Sequence, residues 1–470
     1  MNTSVEDPST RESYQLTSHP IGSKREFWAL TWPLMIGLLS STCMLFVDRL
    51  FLARWNPLGL NAAVSGGMAY YLFLVIPMAV VEIAEVLVGR LNGENRHREI
   101  GTAAWQMLLF SLSLFPVFCL IAKFAPHLFF HGSGNEILET DYFRTLMVSG
   151  ALQCTVITLS GFFIGIGNVK IVTFSALMGN LINIILDYWM IFGVGPIPSL
   201  GVVGAALATG ISLLAQTFFL LTIYWKRCNR KNYGTASISL NTSFLFEGLR
   251  IGFPSGAGRS IEVIAHFLFF RIVMSVGPEQ MALAAIAQTL YILASFVVDA
   301  QNKTASAIAS NLLGARQYAP LGKTLKSGCI QHFFFFLVLS IILWGFPEQI
   351  FSLFNAGEGT GLQPTPELMT TFKRALVCVS LFFLLDGFSW IFIGFLTSAK
   401  DTTYVFWVSV LVNWIAYIPP IYWFCGRNKG GADVAWMIIV GVTAINVLFY
   451  LWRYFSGSWL KHNKDRTAIL

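Results

Sequence analysis

The chain has 470 residues, of which 55% are hydrophobic and only 12% charged, and its mean hydropathy is +0.64. Soluble globular domains carry about 25% charged residues; this chain lacks the charge to cover a water-facing surface, and its composition points to an all-α polytopic membrane protein. The net charge of +7 does not indicate a nucleic-acid partner, because the basic residues sit in short loops between apolar runs and form neither a block nor a face.

In chain order, residues 1–26 form a polar tail that has no apolar core of the signal-peptide kind. A bilayer core takes roughly 20 apolar residues as helix. Runs of that length are expected near 27–54, 61–88, 103–125, 143–165, 170–193 and 201–224. A second set is expected near 249–276, 281–310, 327–346, 370–397, 402–424 and 432–454. That makes about twelve transmembrane helices: six in an N-lobe over 27–224 and six in a C-lobe over 249–456, with a basic linker over 225–248 and a tail over 457–470. Pro419 and Pro420, inside the eleventh run, are expected to bend it and free backbone carbonyls.

The loops GRLNGENRHREIG, YWKRCNRKNYG and LLGARQYAPLGKTLK and the tail WLKHNKDR are rich in Lys and Arg. The alternate loops HGSGNEILETD, GVGPIPSL, VGPEQ and NAGEGTGLQPTPE are acidic or uncharged, and only CGRNKGG breaks the pattern. Cytoplasmic loops carry the excess of Lys and Arg, so both termini are expected in the cytoplasm.

Displacing the chain against itself by 221 residues pairs Pro33 with Pro254, Gly37 with Gly258, Pro57 with Pro278, Tyr70 with Tyr291, Gly93 with Gly314 and Pro126 with Pro347, without a gap. Self-similarity at one spacing signals duplication. FFIGIGNVK and IFIGFLTSAK then match after a short insertion around GEGTGLQP. With six spans each, both halves start on the same side and form a parallel repeat about an axis along the membrane normal. Two such lobes enclose a cavity and suit alternating access by rocking.

The seven cysteines are scattered and show no CxxC or Cys/His spacing, so neither a disulfide framework nor a metal site is indicated. GIGN and GAGR are not preceded by strands and read as close helix packing, not nucleotide binding. No HExxH or GxSxG motif is present, and the chain is not expected to be an enzyme.

An ionised side chain in the middle of a span costs about 2.5–3.5 kcal/mol on insertion scales, and it usually faces a wet cavity or a partner. Asp48, Asp187, Glu262 and Asp386 all fall inside predicted spans, on the side assigned to the outer half of the bilayer. One reading is that they bind a coupling cation or proton, since a carboxyl whose burial changes with conformation can load and release one. The other is structural: Arg49 adjoins Asp48, and Arg259 lies one turn before Glu262, where a permanent salt bridge would silence that carboxylate. Glu262 and His266 share a helix face, but two ligands without a third are weak grounds for a metal. His266 reads better as a hydrogen-bonded cavity residue.

These residues carry a resemblance. WPLMIGLLSSTCMLFVDRLFLARWNPLGLNAAV, LLGARQ and above all DGFSWIFIGFLTSAKDT, with Asp386, Gly394, Lys400 and Asp401 at matching spacing, resemble the MATE (multidrug and toxic compound extrusion) family of transporters, NorM-type members in particular. The resemblance runs from about residue 27 to 455. It implies that Asp48 takes the first-lobe carboxylate position, that Glu262 and Asp386 take the second-lobe pair implicated in cation binding, and that Asp187 is similar to an acidic position of the proton-coupled branch. Sodium and proton coupling both stay open. No cofactor is implied beyond the coupling ion.

The chain departs from the family pattern at Glu82, Glu85, Asp299 and Lys303, where related proteins are mostly apolar. Glu82 and Lys303 occupy the same position in the two repeats. The preferred reading is local pairing of Asp299 with Lys303, one turn apart; the alternative is a cross-lobe pair that closes a gate.

The function expected is efflux of drugs or organic cations in exchange for sodium ions or protons, by a monomer in the plasma (inner) membrane. The alternative is a lipid-linked saccharide flippase of related architecture, which the mixed charge of Arg49, Arg259, Arg271 and Lys303 beside several acids keeps in view.

Overall fold

A computed structural model describes residues 15–195, 198–355 and 365–460. The ends of both expected tails (1–14 and 461–470), positions 196–197 of the GVGPIPSL loop, and positions 356–364 of the second-half insertion lie outside the described residues.

The described chain is helical throughout. The first half holds α1 (Lys24–Trp55), α2 (Pro57–Gly93), α3 (His97–Phe124), the single turn α4 (Pro126–Phe129), α5 (Glu136–Val148), α6 (Gly150–Gly165), α7 (Val169–Phe192) and α8 (Gly201–Tyr224). A short α9 (Arg227–Tyr233) lies in the linker. The second half holds α10 (Thr242–Met274), α11 (Pro278–Gly314), α12 (Ala319–Gly345), α13 (Pro347–Asn355), α14 (Pro366–Ser398), α15 (Thr402–Leu411), α16 (Ile418–Ile421) and α17 (Ala432–Phe455). Sharp turns punctuate this order. Asn56, for example, ends α1 and caps α2 by accepting from the Leu58 N–H at 2.9 Å, with Pro57 at the first helical position.

Ten helical segments among the described residues are long and apolar enough to cross a membrane, and α5 with α6, bent by 41° at their junction, make an eleventh. The twelfth, α10, has the length at 33 residues but carries Glu247, Arg250, Arg259, Glu262 and Arg271. The fourth span therefore begins at Glu136, inside the stretch HGSGNEILETD expected as loop, and it bends at Ser149. The linker is shorter than expected, since α10 starts at Thr242, where the Asn241 side chain caps it. Around Pro419 and Pro420 the chain widens into π-helical turns at Val412–Tyr417 and Tyr422–Arg427. Proline removes an N–H and crowds the carbonyl four residues back, and a wider turn is one way to absorb that.

The duplication holds at the level of elements. Helices α2 and α11 are both 37 residues long, and both of their ends are displaced by 221. The turns that follow them use left-handed residues at equivalent positions, Asn95 (φ 59) and Arg316 (φ 57). Within each half the helices pack around one another, and the halves meet where α2 lies against α10 and α11 and where α1 lies against α11 and α12.

That meeting runs from the end of the bundle bearing the basic loops to about the middle of α2 and α10. Gly252 and Gly256 of α10 abut the α2 backbone at Val80 and Ile76. A Cβ on Gly93 would fall on the Asn311 carbonyl oxygen, and one on Gly314 would fall on that of Arg90. Arg90 and Asn311 are equivalent positions, so these two approaches are one contact made twice, as a two-fold relation requires. Between them Asn92 donates to Asn311 Oδ1 at 3.0 Å, while Asn311 donates to the Gly165 carbonyl at 2.9 Å. Among the described residues, the hydrogen bonds and ion pairs between the lobes all lie from this end up to the level of Glu82. Beyond that level Tyr71 and Asp299 stand exposed in the space between the lobes.

Gly314→Val would force two backbones apart, whereas Gly322, on the neighbouring α12, has open space around its missing Cβ. Overpacking costs about 1–3 kcal/mol. Gly314→Val should therefore lower the unfolding midpoint of the solubilised protein by at least about 3 °C while Gly322→Val leaves it unchanged, as read by a thermal-shift assay.

Candidate functional site

Three groups of buried charge occupy three places. The first lies inside the second lobe. Helix α10 brings Glu262 against α15, where its Oε1 accepts from the Ser409 hydroxyl at 2.9 Å. Helix α14 brings Asp386 against α11, where its Oδ2 accepts from the Tyr291 hydroxyl at 2.5 Å. Both carboxyls line one cavity of about 80 Å³, together with His266, Trp390, Tyr417 and Asn446. Liquid water takes about 30 Å³ per molecule, so this space suits two or three waters or a small cation and excludes a drug-sized ligand. Its walls have unused hydrogen-bonding capacity: Ser389 Oγ, Tyr417 OH and Asn446 Oδ1 find no partner within the protein. Asn413 and Tyr417 reach this wall from the first π-helical turn, so the proline pair shapes the cavity. The His266 ring is turned back onto its own helix, its Nδ1 lying 3.0 Å from the Glu262 carbonyl oxygen.

The second group lies inside the first lobe, where α1 packs on α7. Asp187 is fully buried and Asp48 nearly so. In the amide orientation that satisfies both of its ends, Asn183 donates to Asp187 Oδ2 at 3.0 Å and accepts from the Thr209 N–H at 3.2 Å. Asp48 lies within electrostatic reach of Asp187, and Tyr142 within reach of both. One oxygen of Asp48 has no partner. Asn180 ties α7 to α1 through Ser40 and Ser41 at 2.9 and 3.1 Å.

The third group sits between the lobes. Glu82 of α2 receives Arg259 of α10 at 2.7 Å and Lys303 of α11 at 3.4 Å, with all three side chains about a fifth to a quarter exposed. Arg259 also lies over the Trp390 ring at 5.4 Å from its centroid, and that ring forms part of the second-lobe cavity wall. Glu85, one turn further along α2, is buried within electrostatic reach of Lys303. Asp299 is exposed.

The four candidate carboxylates thus form two pairs, one per lobe, and not a single site. Arg259 does not hold Glu262: it crosses to Glu82 instead. Among the described residues no ion pair joins Asp48 to Arg49, whose side chain is exposed. The local pairing of Asp299 with Lys303 preferred from their spacing is also not what the structure adopts, because Glu82 of the other lobe comes within bonding distance of Lys303. Tyr291, Ser409, Asn183 and Asn446 were not singled out from sequence. Tyr291 had a signal as the repeat partner of Tyr70, whereas neutral donors scattered through apolar helices carry none.

Known proteins resemble the chain over nearly its whole length. The family model described as MatE matches residues 33–189 and 254–423, and its two segments start at the repeat-equivalent Pro33 and Pro254. A Pseudomonas putida protein named "Probable multidrug resistance protein NorM" is 26% identical over 443 residues, covering 89% of this chain and 91% of its own. A Thermotoga maritima protein of the same name is 22% identical, with 89% of each chain covered. Two solved structures share the fold. One, described as the outward-facing conformation of a multidrug resistance MATE family transporter of the MOP superfamily, superposes with a TM-score of 0.84 at 19% identity, covering 94% of this chain and 97% of its own. The other, a MOP superfamily transporter from Pyrococcus furiosus reported with a binding pocket of reversed polarity, gives 0.84 at 20% identity with the same coverage.

Glu82→Gln would leave Arg259 and Lys303 without the carboxylate that holds both. Removing one partner of a buried pair costs about 3–5 kcal/mol, and partial exposure reduces this. The variant should melt several degrees lower than the parent, and adding Arg259→Leu and Lys303→Leu to Glu82→Leu should recover most of the loss. An unchanged midpoint in Glu82→Gln would show that these ion pairs do not hold the lobes together.

Proposed function

The chain belongs to the MatE family, and from that premise we propose that it is a secondary active transporter of the plasma membrane that exports drugs or organic cations in exchange for sodium ions or protons. The observation that carries this reading is that the carboxylates inside the lobes, Asp187, Glu262 and Asp386, are held by neutral donors and not by arginines. A carboxylate satisfied by Tyr291 or Ser409 keeps its charge available, so a small cation or a proton can enter and leave the cavity beside it. A carboxylate locked in a buried salt bridge could not trade its partner in this way.

The basic loops belong in the cytoplasm by the bias of Lys and Arg; both termini then lie there too, and the lobe contact seals the cytoplasmic end. In this arrangement the carboxylates face the outside, ready to load an ion. Rocking one lobe against the other about an axis in the membrane plane would break the glycine-mediated approach at Gly93 and Gly314 and open the cytoplasmic end. The protein is proposed to act as a monomer. The flippase alternative requires a strongly cationic cavity. Of the four cations that kept it in view, Arg49, Arg259, Arg271 and Lys303, two, Arg259 and Lys303, are bonded to Glu82, and no observation carries it further.

Asp386→Asn should abolish ion-driven ethidium export in inverted membrane vesicles while the variant stays in the membrane at parental levels. Sodium and pH gradients imposed separately identify the driving ion. Export by Asp386→Asn at the parental rate under the gradient that drives the parent would remove Asp386 from coupling.

A further inference from the structure

The charge between the lobes is unevenly paired, and Glu85, one turn from Glu82, is buried beneath it. Two acids, Glu82 and Asp299, stand near two bases, Arg259 and Lys303. Glu82 takes both bases. Asp299 is left exposed to the cleft and, among the described residues, has no hydrogen bond or ion pair, although Lys303 lies on its own helix four residues on. The exposed ring of Tyr71 comes from the facing lobe, within electrostatic reach of Asp299. An open, unpartnered carboxylate with an exposed tyrosine across the cleft is a seat for an organic cation. Unlike the carboxylates of the 80 Å³ cavity, Asp299 is exposed.

We propose that Asp299 receives the positive charge of the cargo, and that cargo and Lys303 compete for it. This rests on the efflux reading above. When the basic end opens, Glu82 leaves with its lobe and Lys303 falls back on Asp299, one helical turn away. Such an i,i+4 pair is weak, so a cation that also contacts Tyr71 displaces it. The freed ammonium then turns to the acids of α2 across the interface, Glu82 first and Glu85 beside it, and pairing with them draws the basic ends together. Cargo binding on one side of the gate thereby closes that gate. The two pairings available to Lys303, local and cross-lobe, belong to the two states of the transporter.

The test uses the full chain in lipid nanodiscs, with tetraphenylphosphonium as the probe, and follows the same variants in vesicle export. Asp299→Asn should raise Kd at least about tenfold. Lys303→Gln should lower Kd by about threefold or more, because the competitor is gone, and should slow export because the latch is gone. The double variant should bind like Asp299→Asn alone, and Asp299→Glu should restore most of the affinity. A purely structural role for the pair would weaken binding in both single variants, so opposite signs are the signature. Equal Kd for the parent and Asp299→Asn, or weaker binding by Lys303→Gln, would overturn the assignment. A parent that neither binds nor exports any cationic probe would instead overturn the efflux reading itself.

Discussion

An ionised side chain cannot be left in hydrocarbon without a partner or water, at a cost of about 2.5–3.5 kcal/mol or more, and this constraint organises the molecule. Glu262 and Asp386 force the second lobe to keep a small polar cavity and hydroxyl donors around it. Asp48 and Asp187 force an amide-rich seam between α1 and α7. Glu82 requires bases, and they come from the other lobe. Cavity, seam and lobe interface are three answers to one solvation problem.

Duplication explains why the third answer lies between the lobes. Near a two-fold relation a residue tends to meet its own equivalent, so a charge at such a position would face a copy of itself and repel it. Glu82 and Lys303 are equivalent positions that have diverged to opposite charges and meet across the interface. The same relation sets Gly93 on Asn311 and Gly314 on Arg90. The small residues admit the backbones, the charges hold them, and both devices sit at one end. That polarity is what the proposed gating would use.

Much of this was legible in the chain itself. The 221-residue displacement anticipated the matched lengths of α2 and α11, and the apolar runs anticipated most span ends within a few residues, although α5, α10 and α12 begin seven or eight residues earlier than expected because their first turns are polar. The bend at Ser149 was hidden, because an apolar run looks continuous whether or not its helix turns. The pairing of Lys303 was misjudged for a related reason: the spacing to Asp299 is visible along one helix, while the distance to Glu82 depends on how two lobes dock. Arg259 beside Glu262 misled in the same way, since i,i+3 spacing permits a contact that a better-placed acid across the interface then takes. The carboxylates stood out because charge is conspicuous in apolar sequence; their hydroxyl and amide donors did not.

The central claim is that contact between the lobes is confined to one end at a time. Spin labels on Leu58 and Glu279, near the starts of α2 and α11, report the end away from the basic loops, and labels on Arg98 and Lys326 report the basic end. Double electron–electron resonance distances should change reciprocally when the driving ion is exchanged for cationic cargo, one pair lengthening as the other shortens. Distances that stay fixed at both ends, or lengthen at both together, would contradict the account.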